Sequence, residues 1–161
     1  EAIEQAFKIA RKQNITTVLN PAPAIELPKS LLELTDIIIP NETEAELLTG
    51  ISINNESDMK ETATYFLDLG ISAVLITLGE QGTYCAYQEQ YKMIPACNVK
   101  AIDTTAAGDT FIGAFLSELN KDLSNLESAI RRANQASSLT VQRKGAQASI
   151  PTRKEVEAEY N

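Results

Sequence analysis

The residues best placed to do chemistry lie in one run, Asp103-Thr104-Thr105-Ala106-Ala107-Gly108-Asp109, followed directly by Thr110-Phe111-Ile112-Gly113-Ala114-Phe115-Leu116. Small side chains crowd up to the start of a helical pattern, and a carboxylate sits at the joint. Exposed N–H groups at a helix N-terminus, with the positive end of the helix dipole behind them, make a site for an anion. Asp109 would stand one residue from those N–H groups. A carboxylate beside an anion hole suits phosphoryl transfer to a hydroxyl, because the acceptor's proton needs a base and the moving charge needs donors. The same spacing also fits a glycine-softened loop in which Asp109 only caps a helix. The chain contains no histidine, so a general base must be a carboxylate, Lys, Tyr or Cys.

Two further stretches carry polar residues at strand ends. Asn41 with Glu44 three residues later reads as a capping box, closed by Gly50, after the apolar run Asp36-Ile37-Ile38-Ile39-Pro40. A helix N-terminus beside the carboxyl end of a strand is where α/β sheets bind ligands. Gly79-Glu80-Gln81-Gly82 turns the chain between two strands, and on spacing alone it is a hairpin. Neither a Gly-x-x-x-x-Gly-Lys-Ser/Thr loop nor a Gly-x-Gly-x-x-Gly after a strand is present, which disfavours P-loop and dinucleotide-binding readings.

The positioning elements read as follows. Residues 1–13 place Ile3, Ala6, Phe7 and Ala10 on one helical face, and Thr16–Leu19 is a buried strand running into Asn20-Pro21-Ala22-Pro23-Ala24, a rigid loop. Leu27–Leu34 is a short helix and Asp36–Pro40 a strand buried on both faces. Glu56–Leu69 is an amphipathic helix ending at Gly70, and Ala73–Leu78 is another buried strand. Thr83–Tyr87 and Tyr91–Pro95 form a small antiparallel stretch. Helices over Thr110–Leu119 and Leu123–Val141 follow, the second burying Leu126, Ala129, Ile130, Ala133, Ala136 and Ser137. Thr152 with Glu155 caps a last helix. Alternation of strands and helices predicts an α/β fold with a mostly parallel sheet and antiparallel edge strands.

At 161 residues and 43% hydrophobic content the chain is one domain, 1–161, able to bury roughly 70% of its unfolded surface. It opens on Glu1 within a helical pattern, so it reads as an internal piece of a longer protein. A net charge of −8 argues against nucleic acid and anionic membranes as partners. The charge is uneven: residues 125–161 sum to +2 and the remainder to −10. No apolar run approaches a membrane span. Cys85 and Cys97 are too few for a disulfide framework or zinc site and read as reduced, buried thiols of a cytoplasmic protein.

Four stretches, taken in order, resemble the ribokinase (phosphofructokinase B) family of carbohydrate kinases over its C-terminal half. They are Asn20–Ala24, Pro40–Glu46, Asp103–Asp109 and Arg143-Lys144-Gly145-Ala146-Gln147. The resemblance implies a three-layer ribokinase-like fold without its N-terminal part and lid. It also implies that Asp109 is the catalytic base and that the backbone of Ala106, Ala107 and Gly108 forms the anion hole. By the same resemblance Asn41 and Glu44 organise a magnesium–phosphate water shell, Glu44 reaching magnesium through water. Thr77, Gly79 and Gly82 lie against the nucleotide, and Asn134 falls where adenine is contacted. A potassium site is implied from the side chains of Asp103 and Ser149 and the carbonyls of Thr105, Thr140, Arg143 and Gly145, an oxygen cage that suits a large monovalent ion. Ala148 replaces a proline often found in that loop.

The implied activity is ATP-dependent phosphorylation of a sugar hydroxyl, with ribose going to ribose 5-phosphate. The motifs are closer to ribokinase proper than to fructokinase or adenosine kinase. ATP or ADP, the sugar and a second copy in a homodimer are the implied partners of the complete protein, and the fragment alone is expected to be inactive. The alternatives are a sibling kinase of fructokinase or 1-phosphofructokinase type, and a non-catalytic nucleotide-binding module. Retention of Asp109, Asn41 and Glu44 weighs against the module.

Overall fold

The computed structural model describes residues 1–160, so the last residue of the expected 1–161 domain lies outside the described residues. The chain gathers into two compact units. One comprises Glu1–Leu78 with Tyr84–Met93, and the other comprises Gly79–Thr83 with the chain from Ile94 onward. Five strands form one sheet in chain order, β1 (Val18–Leu19), β2 (Ile37–Ile38), β3 (Ala73–Thr77), β4 (Gly82–Tyr87) and β5 (Gln90–Pro95).

In the first unit β1, β2 and β3 are parallel, with Leu19 opposite Ile38 and Ile38 opposite Val74. Ile37, Ile38, Val74, Leu75 and Ile76 have no exposed surface. That is what continuous apolar runs predict for strands covered on both faces, and each such side chain contributes about 1.5–3 kcal/mol. Helix α1 (Ala2–Lys12) buries no residue fully, and of its predicted apolar face only Phe7 and Ala10 are half-buried. Helix α2 is a single turn, Lys29–Leu32, shorter than the predicted Leu27–Leu34. Pro28 holds ψ 135 at its N-cap, and a residue before proline avoids the helical region, which keeps Leu27 out. Helix α3 (Glu42–Thr49) has the expected capping box and ends on Gly50 at φ 73. Helix α4 (Glu56–Asp68) lays Met59, Ala63 and Phe66 into the same core as Tyr84 and Ala86.

The strands β4 and β5 are joined by Gln88 and Glu89, both at positive φ (48 and 62). A two-residue loop with both φ values positive fits a primed hairpin turn and makes the pair antiparallel. The short link from β3 to β4 likewise excludes a parallel crossover. The expected mixed sheet with antiparallel edge strands is therefore present. The segment 79–81 is a single 3₁₀ turn rather than an open hairpin loop.

The second unit is built on α5 (Ala107–Glu118), α6 (Leu126–Thr140) and α7 (Arg153–Tyr160). Phe111 and Phe115 stack at 6.3 Å in its core, together with Ala129, Ile130, Ala133 and Val156. Two helix starts differ from the sequence reading. Helix α5 begins at Ala107, three residues before Thr110, because the turn is set by the left-handed backbone of Ala106 and not by an apolar residue. Helix α6 begins at Leu126 because Leu123 is at φ 58 and Asp122 binds the Ser124 N–H and hydroxyl. Such side-chain bonds to nearby backbone compete with helix. Cys85 is buried in β4, whereas Cys97 is only half-buried beyond β5, where Pro95 has ended the strand; the two form no disulfide.

Gly82 is at φ 113, and a Cβ there would stand 2.2 Å from the Ile94 carbonyl oxygen and 2.6 Å from the Ala96 nitrogen. Gly82→Ala is expected to cost more than about 2 kcal/mol, through both backbone strain and collision. Urea unfolding checks this, and an unchanged midpoint would show that β5 can yield at this contact.

Candidate active site

In the first unit, the polar residues expected at strand ends come together. Asn41 Oδ1 accepts the Glu44 N–H at 2.8 Å, and the Asn41 N–H donates to Glu44 Oε2 at 2.9 Å. Asn41 also bridges Thr77 in parallel fashion, with the Thr77 N–H donating to the Pro40 carbonyl at 2.9 Å. Asn41, Glu44 and Thr77 thus share the carboxyl edge of β2 and β3. Glu44 is buried, with 7% of its surface exposed, and only its Oε2 serves the cap. Its second oxygen leaves the carboxylate able to accept a hydrogen bond from a metal-bound water, so the donor chemistry fits magnesium held through water.

In the second unit, the N-terminus of α5 is open. Ala106 is at φ 63 and offers no side-chain cap. The Ala107 N–H donates to the Thr104 carbonyl at 3.2 Å. The N–H groups of Ala106, Gly108 and Asp109 find no acceptor among the described residues. Gly108 and Asp109 are exposed, and Asp109 stands in the first helical turn. The open amides are therefore a slightly different set from the expected Ala106, Ala107 and Gly108. Ala107 is engaged locally, and Asp109 contributes its own amide beside its carboxylate.

The loop before α5 is anchored by Asp103. Its Oδ1 accepts the Thr105 N–H and its Oδ2 the Gly145 N–H, both at 3.0 Å. These bonds, first that from Gly145 and then those from Thr105, lower its pKa from 3.8 to about 2. The Val141 carbonyl accepts the N–H groups of both Ile102 and Asp103, at 2.7 and 3.1 Å. Gly145 is at φ 101. The Thr140 carbonyl accepts the Arg143 N–H at 3.0 Å, and buried Ser149 donates its hydroxyl to the Ala146 carbonyl at 2.6 Å. Arg143 also pairs with Glu155, whose carboxylate caps α7 at Thr152. An ionised carboxylate, a hydroxyl with free lone pairs and carbonyls form a hard-oxygen donor set, which fits a monovalent cation.

Asn134, expected near adenine, is 7% exposed and fully engaged as a donor. Its Nδ2 donates to the Ile94 and Pro95 carbonyls at 3.1 and 3.2 Å, and its Oδ1 accepts the Thr83 hydroxyl at 3.0 Å. It ties α6 to the base of the β4–β5 hairpin beside Gly82. Gly79 is at φ 56 and exposed. Sequence reasoning missed two contacts to α5: Ser137 Oγ donates to the Ala107 carbonyl at 2.9 Å, and Thr140 Oγ1 to Thr110 Oγ1 at 3.0 Å. The signal was weak: two hydroxyl residues among the small and apolar residues on the buried side of α6.

The first unit thus presents a polar edge at the carboxyl ends of β2 and β3, and the second an open helix N-terminus with a carboxylate in its first turn. Residues 1–153 match the pfkB family carbohydrate kinases, and the chain belongs to that family. Among its relatives is the ribokinase of Staphylococcus aureus (strain COL), 64% identical over 155 residues that cover 96% of this chain and 51% of the relative. The ribokinase of Haemophilus influenzae is 48% identical over 153 residues, covering 95% of this chain and 50% of its own length. The structure of Arabidopsis thaliana ribokinase complexed with ribose and ATP superposes with a TM-score of 0.91 at 32% identity, covering 98% of this chain and 51% of that one. The chain spans about half the length of the curated relatives it matches.

Because folding lowers the Asp103 pKa, its ionised form stabilises the fold above the ordinary value of 3.8, and that stability is lost as pH falls through about 2. The melting-temperature gap between wild type and Asp103→Asn is therefore expected to hold constant down to about pH 4 and close below it. Glu155, lowered from 4.5 to about 2 chiefly by the Thr152 N–H, titrates in a similar window but is common to both proteins. A gap that ignores pH would show that Asp103 makes no ionic contribution.

Proposed function

We propose that this chain is the nucleotide-handling half of an ATP-dependent ribokinase, transferring the γ-phosphoryl group of ATP to a hydroxyl of ribose. The observation that carries the reading is the uncapped start of α5, with free N–H groups on Ala106, Gly108 and Asp109 and an exposed carboxylate on Asp109. Free amides at a helix N-terminus stabilise the charge of a transferring phosphoryl group. Asp109 accepts the proton of the attacking hydroxyl, which becomes acidic as the bond to phosphorus forms. The chain spans about half the length of these relatives, and the choice of ribose rests on its similarity to ribokinases.

Asn41 and Glu44 would hold the water shell of magnesium, which when bound shields the phosphate charge. Asp103, Ser149 and the carbonyls of Thr105, Thr140, Arg143 and Gly145 would hold potassium, whose charge offsets that of Asp103. Thr77, Gly79 and Gly82 would line the nucleotide, and Asn134 would meet adenine through the remaining lone pair of its Oδ1. The reading implies a cytoplasmic enzyme that works as a homodimer. Sibling sugar kinases share this half of the site, and a binding-only module would have no use for Asp109.

In the full-length protein Asp109→Asn is expected to cut turnover roughly a thousandfold while ADP affinity stays within about threefold. Near-normal turnover would remove Asp109 from the role of base. Calorimetric titration of this chain with magnesium–ADP is expected to show binding that potassium tightens, and titration with ribose to show none. No nucleotide binding in either salt would count against the assignment of the 103–109 run.

A further inference from the structure

Helix α6 holds the first turn of α5 from the side by two hydroxyls. Ser137 Oγ donates to the Ala107 carbonyl at 2.9 Å, and Thr140 Oγ1 donates to Thr110 Oγ1 at 3.0 Å. Donors on α6 and acceptors on α5 are each three residues apart, so one helical spacing aligns both pairs. Ala107 and Thr110 bracket Gly108 and Asp109, the residues with the open amides and the carboxylate. Thr140 has no exposed surface and Ser137 is half-buried, on a face that also carries Leu126, Ala129, Ile130, Ala133 and Ala136. Alanine at both positions would favour the helix more, since Ser and Thr are weaker helix formers. Helix formation gives no reason for a hydroxyl at Ser137, whereas the Thr140 hydroxyl also reaches the Ala136 carbonyl of its own helix at 3.3 Å.

We propose that Ser137 and Thr140 are positioning residues for phosphoryl transfer, fixing the rotation and depth of the first turn of α5 beneath Gly108 and Asp109. The proposal rests on the kinase reading above. Ground-state phosphate is shared among several N–H groups and tolerates a small drift of that turn. The transition state does not, and a displacement near 1 Å costs on the order of a hundredfold in rate. Loss of the hydroxyls thus falls on kcat, while KM for ATP is preserved.

The test in the full-length enzyme compares Ser137→Thr with Ser137→Val, which share a shape and differ only by the hydroxyl. The threonine variant is expected to keep kcat within about threefold, and the valine variant to lose at least about tenfold with KM for ATP within about threefold. Amide exchange at Thr110, whose N–H is bonded to the Ala106 carbonyl at 2.9 Å, is expected to speed up in the valine variant alone. Equal kcat in the Ser137 pair, or equal loss in both, overturns the inference, the second outcome being a packing effect. Asp109→Asn in the same assay separates the two readings. Turnover that survives it removes Asp109 from the role of base, and with it any catalytic part for hydroxyls that hold its turn; a wild-type enzyme that phosphorylates no ribose overturns the kinase reading itself. Turnover lost there, with equal Ser137→Thr and Ser137→Val, overturns this inference alone.

Discussion

Everything proposed for the second unit depends on one backbone conformation, the left-handed turn at Ala106. A residue with a Cβ at φ 63 costs on the order of 1 kcal/mol relative to the ordinary helical region. Local bonds offset this cost: Ala107 N–H to Thr104 on one side and Thr110 N–H to Ala106 on the other. Glycine would remove the strain, but it would also give the unfolded chain more freedom to lose. With alanine, the turn is narrow in its choices once formed. Its consequence is that the helix starts without a side chain over its first amides, which an ordinary Ser or Asp cap would have occupied.

The turn is imposed from outside as well as from within. Val141, at the end of α6, receives Ile102 and Asp103, while Gly145 reaches the Asp103 carboxylate. The segment from 102 to 110 is thus laid against the end of α6 and the loop after it by bonds spanning 30 to 42 residues. Electrostatics gives this arrangement a second purpose. The chain carries −8, and Asp103 and Asp109 both stand close in sequence to the amides that would receive an anion. Two backbone N–H groups already compensate Asp103, and charges farther off than about 8–10 Å are screened at physiological salt. Local amides and the helix dipole, rather than net charge, then decide whether phosphate is welcome.

How much of this could be read beforehand follows from the range of each interaction. The capping boxes of α3 and α7 were legible because a cap is an i to i+3 matter of residue type: Asn41 with Glu44, Thr152 with Glu155. Strands β2 and β3 were legible because nothing but burial on both faces explains Ile37-Ile38-Ile39 or Ala73–Ile76. The start of α5 was misplaced because alanine gives no sign of a left-handed backbone. The start of α6 was misplaced because Leu123, apolar and in phase, leaves the helix for reasons held by Asp122 and Ser124. Ser137 fitted a buried face by size, and its partner thirty residues away could not be inferred from spacing.

Asn134 shows why a residue's type and its use must be kept apart. An amide has two donors and two acceptor sites. Here both donors and one acceptor site close a buried network with Ile94, Pro95 and Thr83. An unsatisfied member of such a network costs about 1–3 kcal/mol, so the network is nearly all-or-none. It fixes the base of β5 against which Gly82 packs at a distance no side chain would tolerate. The same asparagine that family resemblance assigns to a ligand is, by its bonds, first a structural tie. Any contact it makes with a nucleotide is therefore made by a rigid group whose orientation was settled when the chain folded.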